Sequence, residues 1–385
     1  MGMSAEGQIA KSSQEVSAQP KKKKRLGYMD IARGIAMLCI IMGHFGIVTV
    51  NRFVYSFHVP FFFLLSGYFY SQRGTWKEFV LTKAKQLLIP YAIGVAGIMV
   101  ATSICFPLLG YSLLDLALRL KYILKAGILG AGTLHMVPFE IHQIGALWFL
   151  LALFFGNIIL RFALQTKVPF LVVAASALAA WASSQFIWLP FSIQPGMFAS
   201  LYLYLGYLAK QKSFLQKPAH WWAVVASALL WAFCIWMHFS VNIVEVGVNG
   251  GLIAMTGAIC ASYIVVLASK FIHRHIKLIA RFLNYFGQIT LAVLIFHAMS
   301  DFVFPWYLLY DALAGIGIEK PLSHIVIVFC NVVWPLLGVG LIRCCKPLYK
   351  KLVPRDPQPL PAESAGSNGK RRGALSSPSF TVASS

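Results

Sequence analysis

Apolar residues in this chain come in long blocks with little polar alternation, and the blocks recur along most of its length. Ten runs have apolar cores at 31–49, 54–70, 87–107, 146–164, 169–189, 195–209, 220–238, 248–269, 284–304 and 322–343. A helix needs about 20 apolar residues to cross the hydrocarbon layer of a bilayer, so each run is expected to be one spanning helix. The sixth, closed off by Pro195 and Lys210, is the shortest. The pattern therefore predicts an all-α polytopic membrane protein, with about ten transmembrane helices in residues 28–350. Residues 1–27 and 351–385 are rich in Lys, Ser, Gln, Pro and Gly and are expected as disordered tails.

Composition agrees. Hydrophobic residues make up 58% of the chain, charged residues only 12%, and the mean hydropathy of +0.72 excludes an ordinary soluble domain. The net charge of +21 is unevenly placed. Lys21 to Arg25, Arg73, Lys77, Lys83, Lys85, Arg161, Lys167, Lys210, Lys212, Lys217, Lys270, Arg274, Lys277, Arg281 and Arg343 alternate with connections that hold few cations. Under the positive-inside rule both termini are cytoplasmic and the 108–145 loop is outside. The charge then needs no nucleic-acid partner, although Lys21–Arg25 alone would suit a nucleic-acid patch. A polar stretch precedes the first apolar run, so that run is expected to remain as an anchor and not to be cleaved. The seven cysteines show no metal-type spacing, and no metal is expected. No P-loop, nucleophile elbow, dinucleotide fingerprint or internal repeat is present.

The candidate chemistry sits inside the apolar runs. Arg33 and His44 are eleven positions apart, which on a helix is about 16 Å along the axis and nearly the same face. An ionisable group at membrane depth costs about 2.5–3.5 kcal/mol on insertion scales and so marks function by default. A snorkelling Arg33 paired with Asp30 and a carbonyl-bonded buried His44 are the structural alternatives. His58 falls near the outer end of the second run, level with His44, and Pro60–Phe63 and Ser66-Gly67 follow it. Glu140 and Asp301 are the acidic groups on the outer side that could orient a histidine. The outer loop also carries His135, His142 and Trp148, which suit a cover over an acceptor.

Several of these motifs together resemble the integral-membrane acyltransferase 3 family. They are Asp30-x-x-Arg33-Gly34, the Arg33 to His44 spacing, Ser56-Phe57-His58-Val59-Pro60-Phe61-Phe62-Phe63 and Ser66-Gly67-Tyr68. Lys83-Ala-Lys85 before Pro90-Tyr91, Gly145-Ala-Leu-Trp148 and Gly287-x-Ile-Thr290 followed by His297 continue the match in order. The variant is most similar to the fucose 4-O-acetyltransferase branch, which includes nodulation-factor acetyltransferases. The resemblance implies about ten membrane helices and transfer of an acetyl group from acetyl-CoA to an extracytoplasmic glycan or lipid-linked sugar, in the inner or plasma membrane of a bacterium. It gives His44 the central catalytic role and Arg33 an essential supporting one. Lys83 and Lys85 stand where many members carry an Arg pair, and a lysine offers a phosphate a point charge in place of a planar fork.

These expectations form one mechanism. Arg33, Lys83 and Lys85 would hold the phosphates of acetyl-CoA, its arm would run along the first helix, and His44 would take the proton of an attacking hydroxyl. His58, Glu140, Trp148, His297 and Asp301 would support the base or the acceptor. A polytopic transporter or flippase for a lipid-linked glycan is the alternative, because intramembrane Arg and His also serve substrate and proton relays.

Overall fold

The structure, a computed structural model, describes residues 26–360; the remainder of both expected tails lies outside the described residues. It is helical for most of its length. In chain order the helices are α1 (Gly27–Gly43), α2 (Val48–Val54), α3 (His58–Tyr68), α4 (Trp76–Leu108), α5 (Leu113–Leu129), α6 (Trp148–Ala163), α7 (Pro169–Ser184) and α8 (Ile193–Gln211). They continue as α9 (Trp221–Trp236), α10 (Gly251–His275), α11 (Lys277–Gln288), α12 (Thr290–Val303), α13 (Trp306–Gly315), α14 (Leu322–Ile342) and α15 (Lys346–Leu352). One antiparallel hairpin interrupts them, β1 (Ser240–Asn242) with β2 (Gly247–Asn249), Val241 opposite Val248.

Each of the ten apolar runs falls on a helix or a helix pair. Among the described residues, five helices are long and apolar enough to cross a membrane: α2–α3 together, α4, the Gly145–Ala163 helix, α10 and α14. They become six if α11 and α12, which meet at a 76° bend, count as one broken span. Helices α7 and α9 are apolar but shorter. Many large apolar side chains face outward, among them Leu108, Phe186, Leu252, Phe329 and Leu341. Such a surface suits lipid and not water. The protein is a multi-pass membrane protein.

Two elements depart from the sequence reading. Residues 113–129, expected as part of a long loop, form α5. Ser112 and Asp115 make a reciprocal capping box at its start, and Gly130 in the left-handed region ends it. Arg119, Lys121 and Lys125 interrupt its apolar run, which hides it from a search for spans. The second run is not one straight helix, because the turn at 55–57 separates α2 from α3. Pro60 lies in the first turn of α3, where a missing N–H costs no helical bond.

The helices pack at close range. A β-carbon on Gly67 would lie 1.9 Å from the Leu203 carbonyl oxygen, and one on Gly206 1.9 Å from that of Leu64, so α3 and α8 touch backbone to backbone. Gly287 does the same for α11 against α1, where the corresponding distance to the Asp30 oxygen is 1.7 Å. Small residues at helix contacts are how membrane helices gain packing without a hydrophobic driving force.

The connections sort into two ends. At one end Lys270 donates to the Leu215 carbonyl (2.6 Å), Gln216 to the Tyr68 hydroxyl (2.8 Å) and Trp76 to Gln165 (3.0 Å). Lys210 sits over the Tyr68 ring, and Arg161 donates to the Gly74 carbonyl at 2.7 Å. At the other end the 130–144 loop, residues 186–192 and the β-hairpin meet. There Trp188 N–H donates to Val137, Phe191 N–H to Leu129, and Ser192 to Gly130. The start of the expected carboxyl tail is held at the basic end, where Asn284 and Gln288 donate to the Gln358 carbonyl.

Candidate active site

A cavity of about 650 Å³ is lined by residues from both ends, Arg33 at one and Thr133 and Asn242 at the other. Along α1 it is lined by Arg33, Met37, Ile40 and His44, one stripe of a helical face. Opposite them stand Thr290, Leu291 and Leu294 of α12. The waist is apolar, with Phe62, Leu65, Leu87, Phe149 and Leu150. Trp148, Thr133, Asn242 and Glu245 surround the hairpin end.

At the basic end Arg33 holds Asp30 at 3.0 Å and lies 5.0 Å from the centre of the Phe69 ring. Asp30 is buried while Arg33 keeps partial exposure toward the cavity. The guanidinium is thus both the snorkelling partner of Asp30 and a lining group. Lys83 does not line the cavity; its ammonium sits 5.7 Å from Phe79 and 5.9 Å from Tyr70, beside the basic mouth. Arg161, read from the sequence only as one of the inner cations, shares Phe79 at 4.6 Å and anchors the 73–74 backbone. Lys85 points away, among Leu81, Leu88 and Ala92 on the outer face of α4. The structure does not bring Lys85 to Arg33.

At the other end three ionisable groups converge. His44 caps α1, and its Nδ1 lies 3.1 Å from Asp301 Oδ2. His297, one helical turn before Asp301 on α12, places Nε2 3.4 Å from the same oxygen. The two imidazoles meet edge to face at 4.8 Å. His58 donates its Nδ1–H to the Val54 carbonyl, since a carbonyl only accepts, which leaves its Nε2 as an acceptor in the cavity wall. Tyr55 donates to the Gly43 carbonyl at 3.0 Å and so fixes the end of α1.

Of the two carboxylates considered as partners for His44, only Asp301 reaches it. Glu140 instead faces His142 at 3.5 Å, and its side chain is 56% exposed in the loop. Trp148 is buried at the cavity wall against Phe63 and Phe149. His135 stacks on Trp188 at 3.7 Å and contacts the Thr133 hydroxyl. Burial lowers its pKa to about 4, so this loop histidine is neutral near pH 7. Asn242 and Glu245, paired at 2.7 Å, line the mouth without having been foreseen. Their hairpin turns through residues 243–246, and that Ile-Val-Glu-Val segment carries none of the Asn-Gly or Asp-Gly signals of a hairpin turn.

The profile of the acyltransferase domain of the acyltransferase 3 family matches residues 26–340. The chain belongs to that family. The match covers every residue that lines the cavity, from Arg33 to Leu294, so the acyltransferase domain and the cavity coincide. No curated protein and no solved structure matches the chain. Membership carries an acyltransferase activity and accords with the apolar helices of a multi-pass membrane protein.

Proposed function

We propose that this acyltransferase moves an acetyl group from cytoplasmic acetyl-CoA to a hydroxyl of an extracytoplasmic sugar or lipid-linked glycan, across the inner or plasma membrane of a bacterium. The observation that carries the reading is the cavity itself. A cationic mouth at Arg33 and a His–Asp pair at the far end are joined by an apolar passage. Acetyl-CoA has the same order of parts: phosphates, a long flexible arm, then a thioester. Arg33 would meet the phosphates, with Lys83 and Arg161 adding positive potential beside the mouth.

At the far end Asp301 accepts Nδ1–H of His44, which leaves Nε2 unprotonated and able to serve as general base. The acceptor hydroxyl gives its proton to Nε2 as its oxygen attacks the thioester carbonyl. The carbon–sulfur bond then breaks, and the imidazolium returns the proton to the departing thiolate. His58 Nε2 and the Asn242–Glu245 pair are placed to accept and donate hydrogen bonds to acceptor hydroxyls, and Trp148 offers a flat face to a sugar ring. The family resemblance of the 56–68 segment supports fucose or a related sugar as the acceptor class. Ten membrane passes with both termini in the cytoplasm fit this reading, because the cation-rich connections gather at the Arg33 end.

The test is transfer of labelled acetyl from acetyl-CoA to added oligosaccharide by the purified protein in detergent, with mass spectrometry of cell-surface glycans as the cellular counterpart. A flippase needs a sealed bilayer to show activity, so transfer in detergent separates the two functions. Donor-dependent product that persists in His44→Ala would sink the mechanism.

A further inference from the structure

Asp301 Oδ2 stands 3.1 Å from His44 Nδ1 and 3.4 Å from His297 Nε2, and the three atoms all lie within 4.8 Å of one another. A tetrahedral centre with bonds of about 2.0–2.1 Å to nitrogen and oxygen sets its ligand atoms about 3.3 Å apart. Two edges of such a centre are therefore already present.

His297 supplies an independent reason to look for a cation. Its side chain is fully enclosed, at 0% exposure, and neither ring nitrogen has a hydrogen-bond partner. Buried polar atoms are normally satisfied, and an exception calls for a cause. A hydrogen bond to Asp301 accounts for His44. It does not account for a second imidazole whose Nε2 lies 3.4 Å from the same oxygen without a hydrogen bond to it.

We infer that His44, His297 and Asp301 form a site for a divalent transition metal of the zinc class, and that filling it switches off the base assigned to His44. Two imidazoles and one carboxylate suit zinc or cobalt and not magnesium or calcium, which prefer all-oxygen shells. His297 and Asp301 come from adjacent turns of α12 and His44 from the cap of α1. Because the ligands lie on distant segments, no local metal motif appears in the sequence. Three protein ligands leave a fourth position open, and of the three His44 lines the cavity. The remaining edge closes if His44 moves inward, and at 38% exposure His44 is the least enclosed of the three ligands.

The switch follows from the proton count. Metal on Nδ1 of His44 requires the neutral ring to carry its proton on Nε2. Asp301 is already a carboxylate, so binding moves that proton from Nδ1 to Nε2 and releases none. A protonated Nε2 cannot take the proton of a hydroxyl. Metal and base function are mutually exclusive on one ring. The switching half rests on the acyltransfer reading above; the binding half does not.

The full chain, purified in detergent and stripped with a chelator, is titrated with Co²⁺ while its visible spectrum is followed. One Co²⁺ per chain should bind with the intense visible bands of a four-coordinate ion, and Zn²⁺ should displace it. The bands should vanish in His297→Gln and in Asp301→Asn. Weak six-coordinate absorption in the wild type overturns the site, whatever the variants do, and bands that survive in both variants overturn the ligand assignment. In the transfer assay, saturating Zn²⁺ should lower turnover by about 10²-fold or more, the scale of a lost general base, and chelator should restore it. Unchanged turnover with metal bound, or turnover that requires zinc, overturns the switch. Stripped protein that shows the cobalt bands but transfers nothing under any metal condition sinks the acyltransfer reading and leaves the metal site standing.

Discussion

His44 occupies the one position where the end of α1, the end of α12 and the cavity meet, and its roles divide between its two nitrogens. Nδ1 faces Asp301 and Nε2 is left for the substrate. His44→Gln keeps a polar side chain but has no basic nitrogen, so turnover should drop about 10²–10⁴-fold. Asp301→Asn retains the base but loses the carboxylate that fixes the tautomer and stabilises the imidazolium. Its turnover should fall without vanishing, and steady-state rates of both variants check the order. A His44→Gln enzyme that outperforms Asp301→Asn would refute the assignment. Arg33→Lys tests the other end. A point charge replaces a planar fork, so the KM for acetyl-CoA should rise about tenfold with kcat little changed. A fall in kcat alone would place Arg33 in chemistry and not in donor binding.

At the scale of elements, the cavity depends on how closely α11 approaches α1. Gly287→Ala puts a methyl group into the Asp30 carbonyl, so α11 must back away and the wall beside Arg33 must shift. Overpacking of this kind costs about 1–3 kcal/mol or more. Gly340→Ala on α14 meets nothing within 4 Å and should be neutral or mildly stabilising. Thermal unfolding of both in one detergent decides, and equal midpoints would mean the α1–α11 contact yields more readily than its geometry implies. The hairpin-end loop carries a pH signature. His135 titrates near about 6.5 when free and at about 4 when stacked on Trp188. The open loop therefore binds more protons between those values. The stack is fully stable above about pH 6.5 and weakens as pH falls toward 4. Hydrogen exchange of residues 131–144, corrected for intrinsic rates, should show protection falling across that window, and His135→Phe should flatten it. Protection that stays constant in the wild type from pH 7 to 5 would exclude the effect.

For the whole molecule, the testable property is which end faces which compartment. A cysteine placed by Ser112→Cys, with the native cysteines replaced, should react with a membrane-impermeant thiol reagent on intact cells. One placed by Ser213→Cys should not, because Ser213 belongs to the end that gathers Lys210, Lys270 and Arg161. Reversed labelling would invert the donor and acceptor ends. Much of the architecture was readable in the chain because apolar runs record helices directly, and Arg33 and His44 share a face by helical period alone. What stayed hidden depends on contacts between distant segments. Nothing local distinguishes Asp301, which meets His44, from Glu140, which turns to His142. Lys83 and Lys85, two residues apart, project from different faces of α4, and only the surrounding helices decide which lies near the mouth. Helix α5 escaped because three cations broke its run, although Ser112 and Asp115 marked its start.

The line of residues that α1 and α12 each give to the cavity, ending where His44 meets Asp301, has one more consequence. Arg33 and His44 are separated by eleven positions, and so are Thr290 and Asp301. Both intervals are helical rods about 16 Å long, and neither can stretch. On the proposed reading the protein measures its donor like a gauge. A carrier whose anion sits much nearer its acyl carbon can engage the grip or the base, but not both together. Acyl thioesters trimmed to a short stub should react slowly and without saturation, however reactive their chemistry, because they leave the far jaw of the gauge empty.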